Sequence, residues 1–365
     1  MSEAVAPRAR VPRLPASALS DSRPYAALDL GTNNCRLLIA QPGAGGIRVL
    51  EAYSRIVRLG HGLTRTGRLD DDAMERTITA LKVCAEKIRR RRVGRARAVA
   101  TQACRLASNG REFVERIAAE TGLRFKIITP REEARLSVAG CMALLDRESD
   151  AALVIDVGGG STEFSWVDLT ALHEGQGPLR MHPARLPIRA WLSIPLGVVT
   201  LTDAFPEQAD RQAWYRAMVE AVKARLSDFN HADAMRPVFQ ARRAHMIGTS
   251  GAITSLAGLH LGLDRYDRNV IDGMWLSPQE CDGAVEQLLK LDHAERAAQG
   301  CIGPDRADLV VAGAAILQAA QELWPCVRVR VADRGLREGL LMSLMNERPQ
   351  GRAGRKRRRR GGNGH

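Results

Sequence analysis

Aromatic side chains are scarce in this chain, at 4% of 365 residues. A surface that reads single-stranded bases by stacking needs exposed rings, so the scarcity argues against that kind of nucleic-acid reader. No apolar run reaches the ~18 residues that spanning a bilayer requires. The stretch Met1–Pro24 carries Pro, Ala, Ser and Arg without the apolar core of a signal peptide, and reads as a disordered arm. There is no CxxC pair. The seven cysteines (Cys35, Cys84, Cys104, Cys141, Cys281, Cys301 and Cys326) are odd in number and widely dispersed. This argues against a disulfide framework or a zinc site and points to buried thiols in a reducing, cytoplasmic compartment. The Gly-Lys-Ser/Thr of a Walker A loop is also missing.

A hydrophobic fraction of 45% and a charged fraction of 26% are those of a soluble globular protein, and the length allows two domains. The net charge of +13 is uneven: Asn346–His365 holds eight Arg/Lys against Glu347, including six consecutive cations, Arg355–Arg360. Such a segment buries nothing and is expected to be disordered. It is either a solubilising extension or a tether for a polyanion, whose grip would weaken with salt.

Two segments repeat each other. Ala26–Ala40 reads AALDLGTNNCRLLIA and Leu153–Val167 reads LVIDVGGGSTEFSWV. Each is an apolar strand ending in Asp-x-Gly, a small polar turn and a second strand. Asp29 and Asp156 lie 127 residues apart, about one domain length. The duplication predicts two similar α/β domains facing each other across a cleft. Between and after the hairpins, helices are expected at 70–92, 113–121, from Thr129 onward, 251–261, 278–291, 307–323 and 336–345, and further strands at 96–100, 125–128, 246–247 and 327–331. The irregular stretch Asp168–Leu196 predicts a long hairpin excursion.

Three glycine-containing turns follow strands: Gly31-Thr32-Asn33-Asn34, Gly158-Gly159-Gly160-Ser161-Thr162 and Gly248-Thr249-Ser250-Gly251. Glycine lets backbone N–H groups approach an anion, and Thr, Ser and Asn add donors. Neither hairpin opens a helix as a dinucleotide fingerprint would; phosphates held between the two hairpins fit better. Hydrolysis of a phosphate needs an aligned water, a base and cations that spread charge. Asp29, Asp156, Glu132, Glu133 and Glu163 are the acidic candidates. Asp29 and Asp156 either hold a metal or water beside the loops, or simply cap their turns. Thr129-Pro130-Arg131-Glu132 begins a helix, with Glu132 placed to reach back to the Thr129 N–H in a capping box. Glu133 has no such local duty, which makes it the better candidate for activating water.

The motifs DLGTNN, TQACRLASN, EEARL, VIDVGGGSTE, IPLGVVTLTD, GTSGAITSL, RADLVVAGAAIL and GLREGLL follow in the order found in the exopolyphosphatase/guanosine-pentaphosphate phosphatase (Ppx/GppA) family. The resemblance spans about Tyr25 to Met345. It implies an actin-like (actin/sugar-kinase/heat-shock-70, ribonuclease H-like) fold and removal of terminal phosphate from inorganic polyphosphate or guanosine pentaphosphate, with Mg²⁺ or Mn²⁺. It also implies Glu133 as catalytic glutamate, with Asp156 and Glu163 at the metal and water alongside Asp29. Arg105 resembles the family's cleft arginine, a clamp for phosphoryl oxygens, and the three loops would surround the phosphates. Thr32-Asn33-Asn34-Cys35 departs from the usual Ser or Asn-Ser-Phe/Ile, yet keeps a hydroxyl. The C-terminal helical domains of longer relatives are replaced here by the basic tail.

The resulting expectation is a disordered arm at 1–23, an actin-like domain at 24–129 with the helix 335–345 packing back on it, a second at 130–334, and a basic tail at 346–365. The leading activity is exopolyphosphatase, with guanosine-pentaphosphate phosphatase as the alternative, and the family favours a homodimer. A rival of another class is an actin-like nucleotide- or alarmone-binding regulator without turnover. A nucleic-acid module rests on the tail alone.

Overall fold

The computed structural model describes residues 23–43, 46–173, 185–227 and 229–347. The expected N-terminal arm, except Arg23, and nearly all of the basic tail lie outside these residues, as does the centre of the stretch read as a hairpin excursion.

Eleven strands form two sheets among the described residues. The first holds β1 (Tyr25–Leu30), β2 (Asn34–Gly43), β3 (Gly46–Ile56), β4 (Arg95–Ala100) and β5 (Phe125–Ile127), in the order β3-β2-β1-β4-β5. The second holds β6 (Ala151–Val157), β7 (Thr162–Asp168), β8 (Ile188–Ile194), β9 (Ala244–Thr249), β10 (Trp275–Leu276) and β11 (Val329–Ala332), in the order β10-β11-β9-β6-β7-β8. Apart from the added β10, the second sheet repeats the first. In each, a three-stranded antiparallel meander is joined through its first strand to two parallel strands. This duplicated topology is that of two actin-like domains, and the repeated sequence hairpins are the β1–β2 and β6–β7 pairs.

Helices cover the sheets because their apolar stripes demand it. Helix Asp71–Arg90, capped by Asp70 on the Ala73 N–H at 3.0 Å, buries Ile78 and Leu81 against the first sheet with Phe113 and Ile117 of helix Gly110–Thr121. Helices Arg211–Leu226, Gly251–His260, Pro278–Lys290 and Val310–Leu323 build the core of the second sheet. All seven cysteines are buried and unpaired. No described helix is long and apolar enough to cross a membrane.

Two helices lie between the sheets. Helix Pro130–Cys141 packs Val138, Ala139 and Cys141 on Ala152 and Val154 of β6. The C-terminal helix Leu336–Asn346 packs Leu340, Leu341 and Leu344 on Ala27, Leu38 and Val99 of the first sheet. Where the two helices cross, a Cβ on Gly140 would sit 1.9 Å from Gly335 O, and one on Gly339 would sit 1.9 Å from Leu136 O. Only glycine permits backbones to pass so closely.

Candidate active site

The two hairpins bring their turns together. A Cβ on Gly159 would lie 3.1 Å from both Asn33 N and Thr32 Cβ, and one on Gly160 would lie 2.7 Å from Gln102 Oε1 and 2.9 Å from Thr32 Oγ1. These glycines therefore serve the approach of one hairpin to the other. None of the glycines in the three loops has a positive φ, so the left-handed region is not what they supply. Thr32 and Asn33 are buried at this contact, and their carbonyls accept from Gly60 N at 2.8 Å and from Val57 N at 2.9 Å.

Asp29 closes β1 directly across from Arg36 of β2, whereas Asp156 at the matching place on β6 stands across from Glu163 of β7. Paired positions share one face of a sheet, so the first hairpin sets opposite charges across from each other and the second two acids. Glu133, in the first turn of helix Pro130–Cys141, joins them. Its Oε2 lies 3.2 Å from Arg105 Nη1, which also donates to Ile128 O at 2.8 Å. Ser193 Oγ donates to Glu163 Oε1 at 2.8 Å.

Burial is the leading cause that raises all four carboxyls. It lifts Asp29 to about 6 against Arg36 and Arg337, with Asp156 and Glu338 adding to the rise. Asp156 is raised by burial against the neighbouring Ser137 hydroxyl and Arg36. Glu163 is raised by burial and Asp156, against Ser193, Ser161 and Arg105. Glu133 is raised well above the usual range by burial and by Glu163, with Arg105 opposing. Four mutually repelling carboxylates from both domains thus share one poorly solvated junction.

Several expected residues have other duties. Thr162 is fully buried and its hydroxyl donates to Leu196 O at 2.7 Å, which turns it away from any ligand. Thr249 Oγ1 is spent on Arg334 O at 2.8 Å, and Ser250 Oγ caps the next helix on the Ile253 N–H at 3.2 Å. The capping box at Glu132 is only half made. Thr129 Oγ1 accepts from Glu132 N at 3.2 Å, but the Glu132 carboxylate pairs with Lys126 Nζ at 2.8 Å in solvent instead of reaching back. The contrast with Glu133 survives for another reason: the Glu133 side chain is 11% exposed, and the Glu132 side chain 40%. Residues missed in the sequence include Arg36, Ser193, Arg337 and Gln102, whose buried Oε1 has no partner and faces the junction turns. Arg36 was readable, since a strand-turn-strand repeat starting at Asp29 puts it opposite.

The donor set is carboxylate oxygen, the kind of ligand that hard divalent ions take. Among the described residues no three His, Cys, Asp or Glu side chains converge closely enough to hold an ion by themselves. An ion bound by one or two carboxylates and completed by water, the habit of Mg²⁺, fits this arrangement.

A duplicated actin-like fold with acids and an arginine at the junction of its two hairpins defines a phosphate-processing protein of the actin-like class. The chain belongs to the Ppx/GppA phosphatase family, whose model matches residues 38–348. It is 31% identical over 336 residues to exopolyphosphatase 2 of Mycobacterium tuberculosis, covering 87% of this chain and 98% of the relative. The crystal structure of the Aquifex aeolicus family member matches with a TM-score of 0.69 at 30% identity, over 88% of this chain and 97% of the other. An exopolyphosphatase from Cytophaga hutchinsonii shares the fold, with a TM-score of 0.74 at 23% identity over 89% of this chain and 98% of the other.

Proposed function

We propose that this phosphatase is an exopolyphosphatase, releasing terminal orthophosphate from inorganic polyphosphate with Mg²⁺. The observation that carries the reading is the gathering of Asp29, Glu133, Asp156 and Glu163 with Arg105 at the meeting of the two hairpins. Glu133 is the base: burial and Glu163 raise its pKa, which makes its carboxylate a stronger proton acceptor than a free glutamate. Arg105 is positioned to leave Glu133 for phosphoryl oxygens, and its planar fork suits them. Turn amides at Thr32–Asn34 and Gly159–Ser161 would supply neutral donors for the same oxygens, the Gly158 N–H being spent on Ser161 O at 2.9 Å. One or two of Asp29, Asp156 and Glu163 would hold the ion, with water completing its shell. Bound there, Mg²⁺ would neutralise charge on the transferred group and orient water. Ser193 fixes the Glu163 carboxylate through its 2.8 Å hydrogen bond.

The decisive experiment measures orthophosphate release from long-chain polyphosphate and from guanosine pentaphosphate side by side, with a Mg²⁺ titration. Faster, ion-dependent release from polyphosphate is expected. Release from guanosine pentaphosphate alone would reassign the substrate, and tight nucleotide binding without release from either would make the protein a regulator.

A further inference from the structure

A dense group of cations stands at the C-terminal end of helix Asp71–Arg90. Lys87, Arg89 and Arg90 finish the helix, and Arg91 and Arg92 follow. Glu51 of β3 lies beneath them, its Oε1 2.6 Å from Lys87 Nζ and 3.0 Å from Arg90 Nη2, its Oε2 2.6 Å from Arg91 Nε. The Glu51 side chain is 11% exposed, against 73% for Arg89 and 62% for Arg90. One sunken carboxylate thus fixes three cations in a fan. Hydrogen bonds from Lys87 and Arg91 hold Glu51 down to about 2, so it stays charged.

Helix-end electrostatics alone do not account for this. A helix C-terminus favours a cation, but five cations stand here against Glu51 and Glu86. Arg92 adopts φ 51° just beyond the helix, where the Val93 N–H bonds Ile88 O at 3.2 Å. That is the place glycine occupies at least cost, and a side chain there is strained by roughly 1–2 kcal/mol. The occupant is the fourth consecutive arginine.

The group lies toward the end of the first sheet remote from Asp29: Glu51 is level, through Ile39, with Ala26, three residues or about 10 Å from Asp29 along β1. Gly94 N bonds Pro24 O at 2.8 Å there, and Arg95 at the start of β4 holds Leu344 O at 2.9 Å and the Glu347 carboxylate at 2.5 Å. The chain therefore leaves the C-terminal helix at the same end of the first sheet, on its opposite face, and its next 18 residues carry eight cations.

We propose that this face is a docking surface for long-chain polyphosphate, separate from the junction where the chain end is hydrolysed. Naming the polymer rests on the proposed exopolyphosphatase reading. Guanidinium groups fixed in a fan bind phosphate oxygens whatever the rest of the polymer. The nearby ring, Tyr53, is half-buried with Lys87 Nζ 5.7 Å from its centre, so no exposed ring offers itself to a base. That favours a polymer of phosphate without bases. Holding the chain remotely raises its concentration at the junction.

The test is the full-length protein carrying Arg89→Gln, Arg90→Gln and Arg92→Gly, each with and without Glu133→Gln to stop hydrolysis. Lys87 and Arg91 remain on Glu51, and an Arg89→Gln/Arg92→Gly double variant keeps all three contacts in case the triple variant misfolds. Equilibrium binding of long-chain polyphosphate is followed across a salt series. The triple variant is expected to bind about tenfold more weakly at low salt, with a salt slope shallower by about 2. KM for long chains should rise in step, while KM for tripolyphosphate stays unchanged. Unaltered affinity and slope would overturn the docking surface. Duplex RNA that outcompetes polyphosphate at this face would overturn the choice of occupant. If the unsubstituted protein hydrolyses no polyphosphate, yet the substitutions still flatten the slope, the surface stands and the exopolyphosphatase reading falls.

Discussion

Glu163 stands directly across the β6–β7 hairpin from Asp156, where the matching hairpin places Arg36 across from Asp29. Like charges directly opposite destabilise a sheet by roughly 0.2–1 kcal/mol, and here burial adds to the cost. Glu163→Gln should therefore raise Tm in metal-free buffer by about 1–3 °C. If Mg²⁺ binds as proposed, it should raise the Tm of the unsubstituted protein, and the same change should shrink that rise. A thermal melt with and without Mg²⁺ reads both. A lower metal-free Tm would mean that Glu163 is held by favourable contacts rather than repelled.

Glu133→Gln should leave folding and polyphosphate binding nearly intact and reduce turnover by roughly 10²–10⁴. Glu132→Gln, which loses only a solvent-exposed pair with Lys126, should keep near-normal rates and lose at most about 1 kcal/mol. Steady-state rates of the two variants decide between the adjacent glutamates; a dead Glu132 variant beside an active Glu133 variant would reverse the assignment.

Gly159→Val places methyl groups where Asn33 N and Thr32 Cβ already lie 3.1 Å from the Cβ position. Both neighbours are backbone or near-backbone, so the hairpins must part. A loss of about 1–3 kcal/mol is expected, together with a rise in KM because the loops no longer meet. Unchanged stability would show that the contact has slack.

Acid should unfold the protein partly through His245. It is 1% exposed, its Nε2 accepts from the Asp146 N–H at 3.4 Å, and Trp275 packs on its ring at 5.5 Å. Burial pushes its pKa from 6.5 down to about 4, with Arg328 and Arg330 assisting and Asp146 opposing. A depressed histidine contributes its stability above the unfolded value near 6.5, and loses it as pH falls toward 4. The full loss is about 3 kcal/mol. His245→Gln keeps an acceptor without a titration, so urea midpoints between pH 7.5 and 4.5 should fall less in the variant. Parallel declines in both would remove His245 as the acid-sensitive group.

The hairpins were legible because Asp-x-Gly followed by an apolar strand occurs twice, and the duplicated sheet order follows from that repeat. Helices with explicit caps, such as Asp71–Arg90 after Asp70 and Pro278–Lys290 after Ser277, were legible to within a residue or two. β3 and helix Arg211–Leu226 escaped notice. The helix buries Trp214, Tyr215, Met218, Val222 and Leu226 at helical spacing behind the Asp210 cap, a signal diluted by its many charges. Ser193 was hidden because its strand lies within Asp168–Leu196, a Pro- and Gly-containing stretch read as one irregular excursion. The roles of Thr162 and Thr249 depend on carbonyls 34 and 85 residues away, and no local pattern reports contacts of that separation.

The glycine crossing has a mechanical consequence. Glu133 rides the same rigid helix as Gly140, seven residues or about 10 Å from the crossing with the C-terminal helix. At that lever arm, a tilt of about 6° displaces the carboxylate by about 1 Å, a misplacement that can cost a hundredfold in rate. Backbone resting on backbone has no rotamers through which to yield. The contacts of Gly140 with Gly335 and of Gly339 with Leu136 therefore act as a fixed bearing, setting the tolerance with which the proposed base is aimed at the meeting of the two hairpins.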